Sequence, residues 1–291
     1  MPQCIVNRRA QFSASHRYWL PELSEEENYR RFGKGSIFPG HGHNYELFVS
    51  MLGEIDPHNG MVLNLSEVKH IIQREVIKDL NFSYLNNTWI EFSQCLPTTE
   101  NIARLIWQKL APHLPLVNIQ LYEHPELWAD YQGNSMEAYL TVKTHFAAAH
   151  RLALQTLSLD ENTAIYGKCA RPNGHGHNYH LEVTVKGEID PRSGMIIDLE
   201  KFEQAIDNYV LQPLDHTFLN YDIPYFAEVV PTAENIAVYI QNVLTEPIKN
   251  LGAELHRVKL IESPNNSCEV FGPGASEFRE LLNRSASSYA L

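Results

Sequence analysis

The decisive stretch is Gly40-His41-Gly42-His43-Asn44-Tyr45, because it returns unchanged as Gly174-His175-Gly176-His177-Asn178-Tyr179, 134 residues later. Gly53-Glu54-Ile55-Asp56-Pro57 returns as Gly187-Glu188-Ile189-Asp190-Pro191 with the same offset. So does Pro97-Thr98-Thr99-Glu100-Asn101-Ile102-Ala103, as Pro231-Thr232-Ala233-Glu234-Asn235-Ile236-Ala237, and His16 pairs with His150 in the same way. One offset held by several separate segments marks a tandem duplication, and a period this long is a duplicated domain and not a solenoid unit. The offset grows to 139 between Glu123 and Glu262, which puts a five-residue insertion near residues 250–254. The boundary falls at the short polar stretch Gly133-Asn134-Ser135, so the expected units are residues 1–134 and 135–291.

Each unit can be read against the other. Residues 4–15 and 138–149 are rich enough in β-branched and aromatic residues for strands, and 45–53 and 179–187 follow as second strands. Asp56-Pro57-His58-Asn59-Gly60 and Asp190-Pro191-Arg192-Ser193-Gly194 place Pro and Gly where tight turns need them. Asn64-Leu65-Ser66-Glu67 resembles a capping box opening a helix to about Leu80, with Asp198 starting its counterpart. Pro97-Thr98 and Pro231-Thr232 open second helices with Thr as N-cap, and residues 116–123 and 255–262 return as strands. The expectation is an α+β fold, two tandem units of ββαα plus one or two strands.

Composition narrows the function. The 291 residues are 44% hydrophobic and 20% charged, ordinary for a globular chain, and the net charge of −12 disfavours broad attraction to nucleic acid or an anionic membrane. Residues 1–16 contain no continuous apolar core of a secretory signal, and no run of about 18 apolar residues occurs anywhere. Cys4, Cys95, Cys169 and Cys268 are widely spaced, with no disulfide framework and no Cys-x-x-Cys. A cytoplasmic, reduced protein is expected.

His-x-His at i, i+2 puts both imidazoles on one face of a strand, since strand side chains alternate. His16, with His41 and His43, and His150, with His175 and His177, would each complete a three-histidine face from an adjacent strand. Three neutral imidazoles with a vacant fourth position suit catalytic zinc. Solvated polar residues are the bland alternative, and the repetition of all three in both halves argues against it. Cys169 sits in a Gly- and Pro-containing loop between Lys168 and Arg171, where cations favour a thiolate; a buried structural thiol is the alternative. The first half has Gly35 there. Asp215-His216 puts an acid beside a base at a helix end, either a proton relay or a helix cap, and the first half has Asn81-Phe82. Glu234 and Glu100 follow N-cap threonines and equally answer a helix dipole. Glu262 and Glu123 end apolar strands, where a carboxylate often receives a polar ligand.

With these residues assembled, the chain resembles the 6-pyruvoyl-tetrahydropterin synthase / 6-carboxytetrahydropterin synthase family, once per half. The marks are Phe-Ser-Ala-Ser-His16, Phe-Ala-Ala-Ala-His150, both Gly-His-Gly-His-Asn-Tyr segments, Gly-Glu-Ile-Asp-Pro, Leu-Asp215-His216 and Pro-Thr-x-Glu-Asn. The resemblance implies the tunnelling fold (T-fold), zinc on the histidine triads, and 7,8-dihydroneopterin triphosphate as substrate. It implies Cys169 as catalytic base with Asp215 and His216 as relay partners, and Glu262 as the pterin anchor with Glu234 and Thr232 nearby. Lys168, Arg171 and Arg151 are candidates for the triphosphate. It also implies sites between subunits and a homo-oligomer, expected to be a homotrimer of tandem chains. The spacing Cys-x5-His-Gly-His resembles the pyruvoyl-forming branch. Formation of 6-carboxytetrahydropterin with loss of acetaldehyde, on the route to deazaguanine nucleosides such as queuosine, is the alternative. A pterin-binding protein without turnover is the second. The first half, lacking thiol and relay, is expected to be catalytically degenerate.

Overall fold

The computed structural model describes residues 2–272. By spatial proximity the described residues divide into two compact units: 2–141 together with 186–201, and 142–185 together with 202–272.

In the first unit, β1 (Gln3–His16) and β2 (His41–Glu54) form an antiparallel hairpin in continuous register, from Gln3 opposite Glu54 to His16 opposite His41. Then β3 (Leu116–His124) pairs with β2, and β4 (Leu127–Tyr131) pairs with β3, both antiparallel. The short strand Ser83–Tyr84 lies parallel to the end of β1. On β2, alternate residues Tyr45, Leu47, Val49 and Met51 are fully buried, and Phe12, Ala14 and His16 are their buried counterparts on β1. That face is covered by α3 (Thr99–Leu110), which buries Ile102, Ala103, Ile106 and Leu110, and by α2 (Leu65–Ile72). The side chain of Asn64 caps α2, which continues through a wider turn at Gln73–Ile77 to Leu80.

One element escapes the strand-strand-helix-helix reading. Between β1 and β2 lies a short helix, α1 (Glu25–Phe32), opened by a capping box in which Ser24 accepts from Glu27 N and Glu27 accepts from Ser24 N. Its apolar positions are too few for a periodicity signal, although Ser24-Glu25-Glu26-Glu27 carried the cap signature. Asn28 pins it. That buried amide accepts from Leu20 N at 2.8 Å and donates to the carbonyls of Leu20, Leu23 and Ser24.

The second unit repeats the plan with β5 (Glu137–His150), α4 (Leu159–Tyr166), β6 (His175–Glu188), α5 (Leu199–Ile206), α6 (Ala233–Asn250), β7 (Glu254–Ser263) and β8 (Asn266–Phe271). The sheet order here is β8-β7-β6-β5, with Thr217–Phe218 parallel to β5. Tyr179, Leu181, Val183 and Val185 bury one face of β6, as their counterparts do on β2. The inserted residues lengthen α6 to 18 residues, against 12 in α3.

Residues 190–196 pack within the first unit, against α3. The Thr98 hydroxyl donates to Gly194 O, Ile196 N donates to Glu100 Oε1 at 3.2 Å, and Arg192 forks onto Glu22 at 2.8 and 2.5 Å. Among the described residues, no helix is long and apolar enough to cross a membrane.

Candidate active site

Register brings the histidines together. His16 lies directly opposite His41 and Ala14 opposite His43, and facing residues of an antiparallel pair share one side of the sheet. His16 Nε2 stands 3.1 Å from His41 Nε2, and His150 Nε2 stands 3.2 Å from His175 Nε2. The strand ends are shaped for this by Gly40 and Gly174, both at positive φ, where a Cβ would strike the carbonyl of His16 or His150.

The fully buried rings of His16 and His150 are oriented from behind. Their Nδ1 atoms lie 2.9 Å from Pro97 O and 2.7 Å from Pro231 O. A carbonyl only accepts, so Nδ1 carries the proton and Nε2 turns its lone pair toward the other two rings. Burial lowers the pKa of His16, His41, His150 and His175, which keeps each imidazole neutral. The buried Nε2 atoms of His43 and His177 have no hydrogen-bond partner. Neutral imidazoles with convergent lone pairs and one orphaned nitrogen per cluster are what a metal ion fills. Two groups therefore fit one: His16, His41, His43 and Glu123, and His150, His175 and His177.

Around the second triad, Glu262 Oε1 lies 3.7 Å from His177 Nε2 and 3.8 Å from His150 Nε2. Cys169, half-buried, occupies the tight turn Gly167–Ala170, whose placement is fixed by Leu152 N donating to Cys169 O and Arg151 Nε donating to Ala170 O. Lys168 and Arg171 flank it, exposed. Asp215 and His216 meet each other, Oδ2 to Nδ1 at 2.9 Å, and remain largely exposed. His216 and His177 line one cleft of about 370 Å³. Among the described residues, no hydrogen bond or ion pair joins Cys169 to Asp215 or His216. The Thr232 side chain is engaged as the cap of α6, accepting from Asn235 N, and Glu234 is exposed in its first turn. Cys268 had no role in the sequence reading, yet burial, then Glu234 and Glu262, push its thiol up to about 11, so it stays protonated.

The first triad has the same backbone with different surroundings. Position 35 is glycine, and a Cβ there would come within 2.9 Å of the Tyr18 ring and 3.8 Å of His41 Cε1. Tyr18 is the residue that sequence reasoning passed over. Its signal was the pairing with Leu152 at the common offset. Asn81 and Phe82 stand where Asp215 and His216 do, with Phe82 at φ 58° as His216 is at 59°.

The family described as 6-pyruvoyl tetrahydropterin synthase matches this chain twice, over residues 5–134 and 139–273. The chain belongs to that family. With it the chain joins the lyases, and the duplication read from its motifs is a duplication of the whole family domain. The 6-pyruvoyl tetrahydrobiopterin synthases of Pongo abelii and Homo sapiens are each 46% identical over 134 residues, 46% of this chain and 91% of theirs. The structure of the Caenorhabditis elegans 6-pyruvoyl tetrahydropterin synthase is 38% identical, covers 47% of this chain and 96% of its own, and gives a TM-score of 0.45.

Proposed function

We propose that this chain converts 7,8-dihydroneopterin triphosphate to 6-pyruvoyl-tetrahydropterin with release of triphosphate, at the site built around Cys169. The observation that carries this is the company kept by the second triad: a thiol, an Asp-His pair and an unblocked carboxylate, none of which the first half combines.

Zinc bound by His150, His175 and His177 would supply Lewis acidity, lowering the pKa of the substrate's side-chain hydroxyls. The other roles fall to the chain. Glu262 pairs with the amino and ring nitrogens of the pterin through two parallel hydrogen bonds, which sets the side chain's direction. Cys169 removes a proton from the side chain, and triphosphate departs as the double bond forms. Asp215 holds the His216 ring through Nδ1, leaving Nε2 to exchange protons with solvent or substrate. Lys168 and Arg171 bear positive charge at the loop rim, suited to the triphosphate. The elimination and the tautomerisation that follows need no external oxidant or reductant.

The exposure of Asp215 and His216 supports a homo-oligomer in which they serve a neighbouring chain's site; light scattering counts the chains, and three is the sequence-based expectation. Incubation of the zinc-loaded protein with 7,8-dihydroneopterin triphosphate, without reductant, followed by mass spectrometry, tests the reaction. The pyruvoyl product supports it. A 6-carboxy product with acetaldehyde, or no product, overturns it.

A further inference from the structure

We propose that the first-repeat cluster is a closed metal site in which Glu123 is a fourth ligand beside His16, His41 and His43, and that Tyr18 seals it against a pterin. This rests on the reading that the histidine triads hold zinc.

Glu123 Oε1 stands 3.2 Å from His43 Nε2 and 3.9 Å from His16 Nε2, and all four ligand atoms lie within 4.8 Å of one another. Tetrahedral zinc with bonds near 2.0–2.1 Å separates its ligand atoms by roughly 3.3 Å, so the closest pairs already match and the widest would close by up to about 1.5 Å. The other carboxylate oxygen is taken: Thr99 donates to Oε2 at 2.6 Å and the Tyr18 hydroxyl at 3.3 Å. Oε1 is thereby aimed at the imidazoles, and the edge that would pair with a pterin is already paired with the protein.

The second repeat lacks both donors. Leu152 replaces Tyr18, Ala233 replaces Thr99, and Glu262 stays 3.7 Å from its nearest histidine with its side chain 17% exposed against 6% for Glu123. Tyr18 also fills space. It is buried with Leu20, Phe32 and Leu96, and Met195 packs over that cluster. Its ring reaches to where a side chain at position 35 would begin, so Gly35 is the complement of Tyr18 and the absent thiol follows from the same packing. Four protein ligands without a vacant position make a structural site, whereas three leave room for substrate.

The test uses the full chain loaded with zinc and challenged with EDTA while an indicator dye reads released metal. Two phases of equal amplitude are expected, one at least tenfold slower than the other. Glu123→Gln should accelerate the slow phase at least tenfold and leave the fast one unchanged. Neopterin, followed by its fluorescence, should bind once per chain in the parent and twice in Tyr18→Leu/Thr99→Ala, which removes both donors from Glu123. Two neopterins in the parent, one in a folded Tyr18→Leu/Thr99→Ala, or a slow phase indifferent to Glu123→Gln overturns the proposal. If the double variant does not fold, the Glu123→Gln kinetics decide alone. One zinc per chain, lost in His150→Ala, overturns this proposal and spares the catalytic reading. No zinc at all overturns both.

Discussion

Asp215 and His216 are consecutive in sequence, yet their side chains meet, Oδ2 to Nδ1 at 2.9 Å. Neighbours on a regular strand or helix diverge. Here His216 adopts φ 59°, which turns its ring back over Asp215, while Asp215 Oδ1 accepts Ala147 N at 2.8 Å. The first repeat makes the same loop, with Phe82 at φ 58° and Asn81 Oδ1 accepting Ser13 N at 3.0 Å. The turn is thus a property of the fold, and the charge is a property of one repeat.

Asp215→Asn should therefore fold normally, since Asn81 already fills the backbone role. Turnover should fall by roughly 10²–10³-fold, the usual worth of a positioned proton-transfer partner. Steady-state kinetics beside a thermal melt separate the two effects, and an unchanged kcat would remove the dyad from the reaction.

Cys169→Ala should keep its metal and its melting temperature while losing most turnover, because the residue is proposed as a base and not a ligand. Adding Gly35→Cys to that variant should restore nothing: the new Cβ meets Tyr18, and Asn81 and Phe82 cannot move protons. Metal analysis is the sharp measurement. Loss of zinc from Cys169→Ala would make the thiol a ligand.

Glu100 gives a pH signature that is independent of catalysis. It is 3% exposed, and burial pushes its carboxyl up to about 7, opposed by hydrogen bonds from backbone N–H groups, including that of Ile196. The folded state then binds the proton more tightly than the unfolded chain. Its contribution to stability is complete below the unfolded value of 4.5 and is lost as pH rises through about 7. The amount at stake is about 3 kcal/mol. Glu100→Gln keeps the acceptor for Ile196 and removes the charge. Urea titrations should show it more stable than the parent at pH 8 by about 1–3 kcal/mol, with the gap closing by pH 5. Parallel pH curves would contradict the burial argument.

Asn28 and Asn162 have the same structural role in different company. Each accepts from one backbone N–H and donates to three carbonyls at the entry of α1 or α4. Replacement by Ala orphans these groups and should cost about 2–4 kcal/mol in either repeat. Only Asn162→Ala should also reduce kcat, since α4 leads directly into the Cys169 turn. Equal kinetic effects from both would argue against the functional asymmetry of the repeats.

Much of this was legible in the chain because duplication supplies its own control. The common offset located the histidines, strands and helix caps twice, and the absence of the thiol and of the Asp-His pair from the first half was visible as Gly35, Asn81 and Phe82. The helix α1 shows in the sequence only as a cap signature, because one buried asparagine holds it in place of an apolar stripe. Tyr18 aligns with Leu152 at the common offset, but an aromatic in place of a leucine carries no direction. Only the register of the hairpin, the nearby Glu123 and the open Cα of Gly35 show that its hydroxyl reaches the carboxylate.

By itself the sequence determined the repeat, the period-two placement of each His-x-His and the chemical inventory of each half, because these depend on residue identity and spacing along one strand. The tertiary structure decided what lies across from what. His16 meets His41 through a register spanning 14 paired residues, and Glu123 reaches His43 from a third strand. Such contacts join residues far apart in the chain through backbone pairing and packing, and no local pattern encodes their distances.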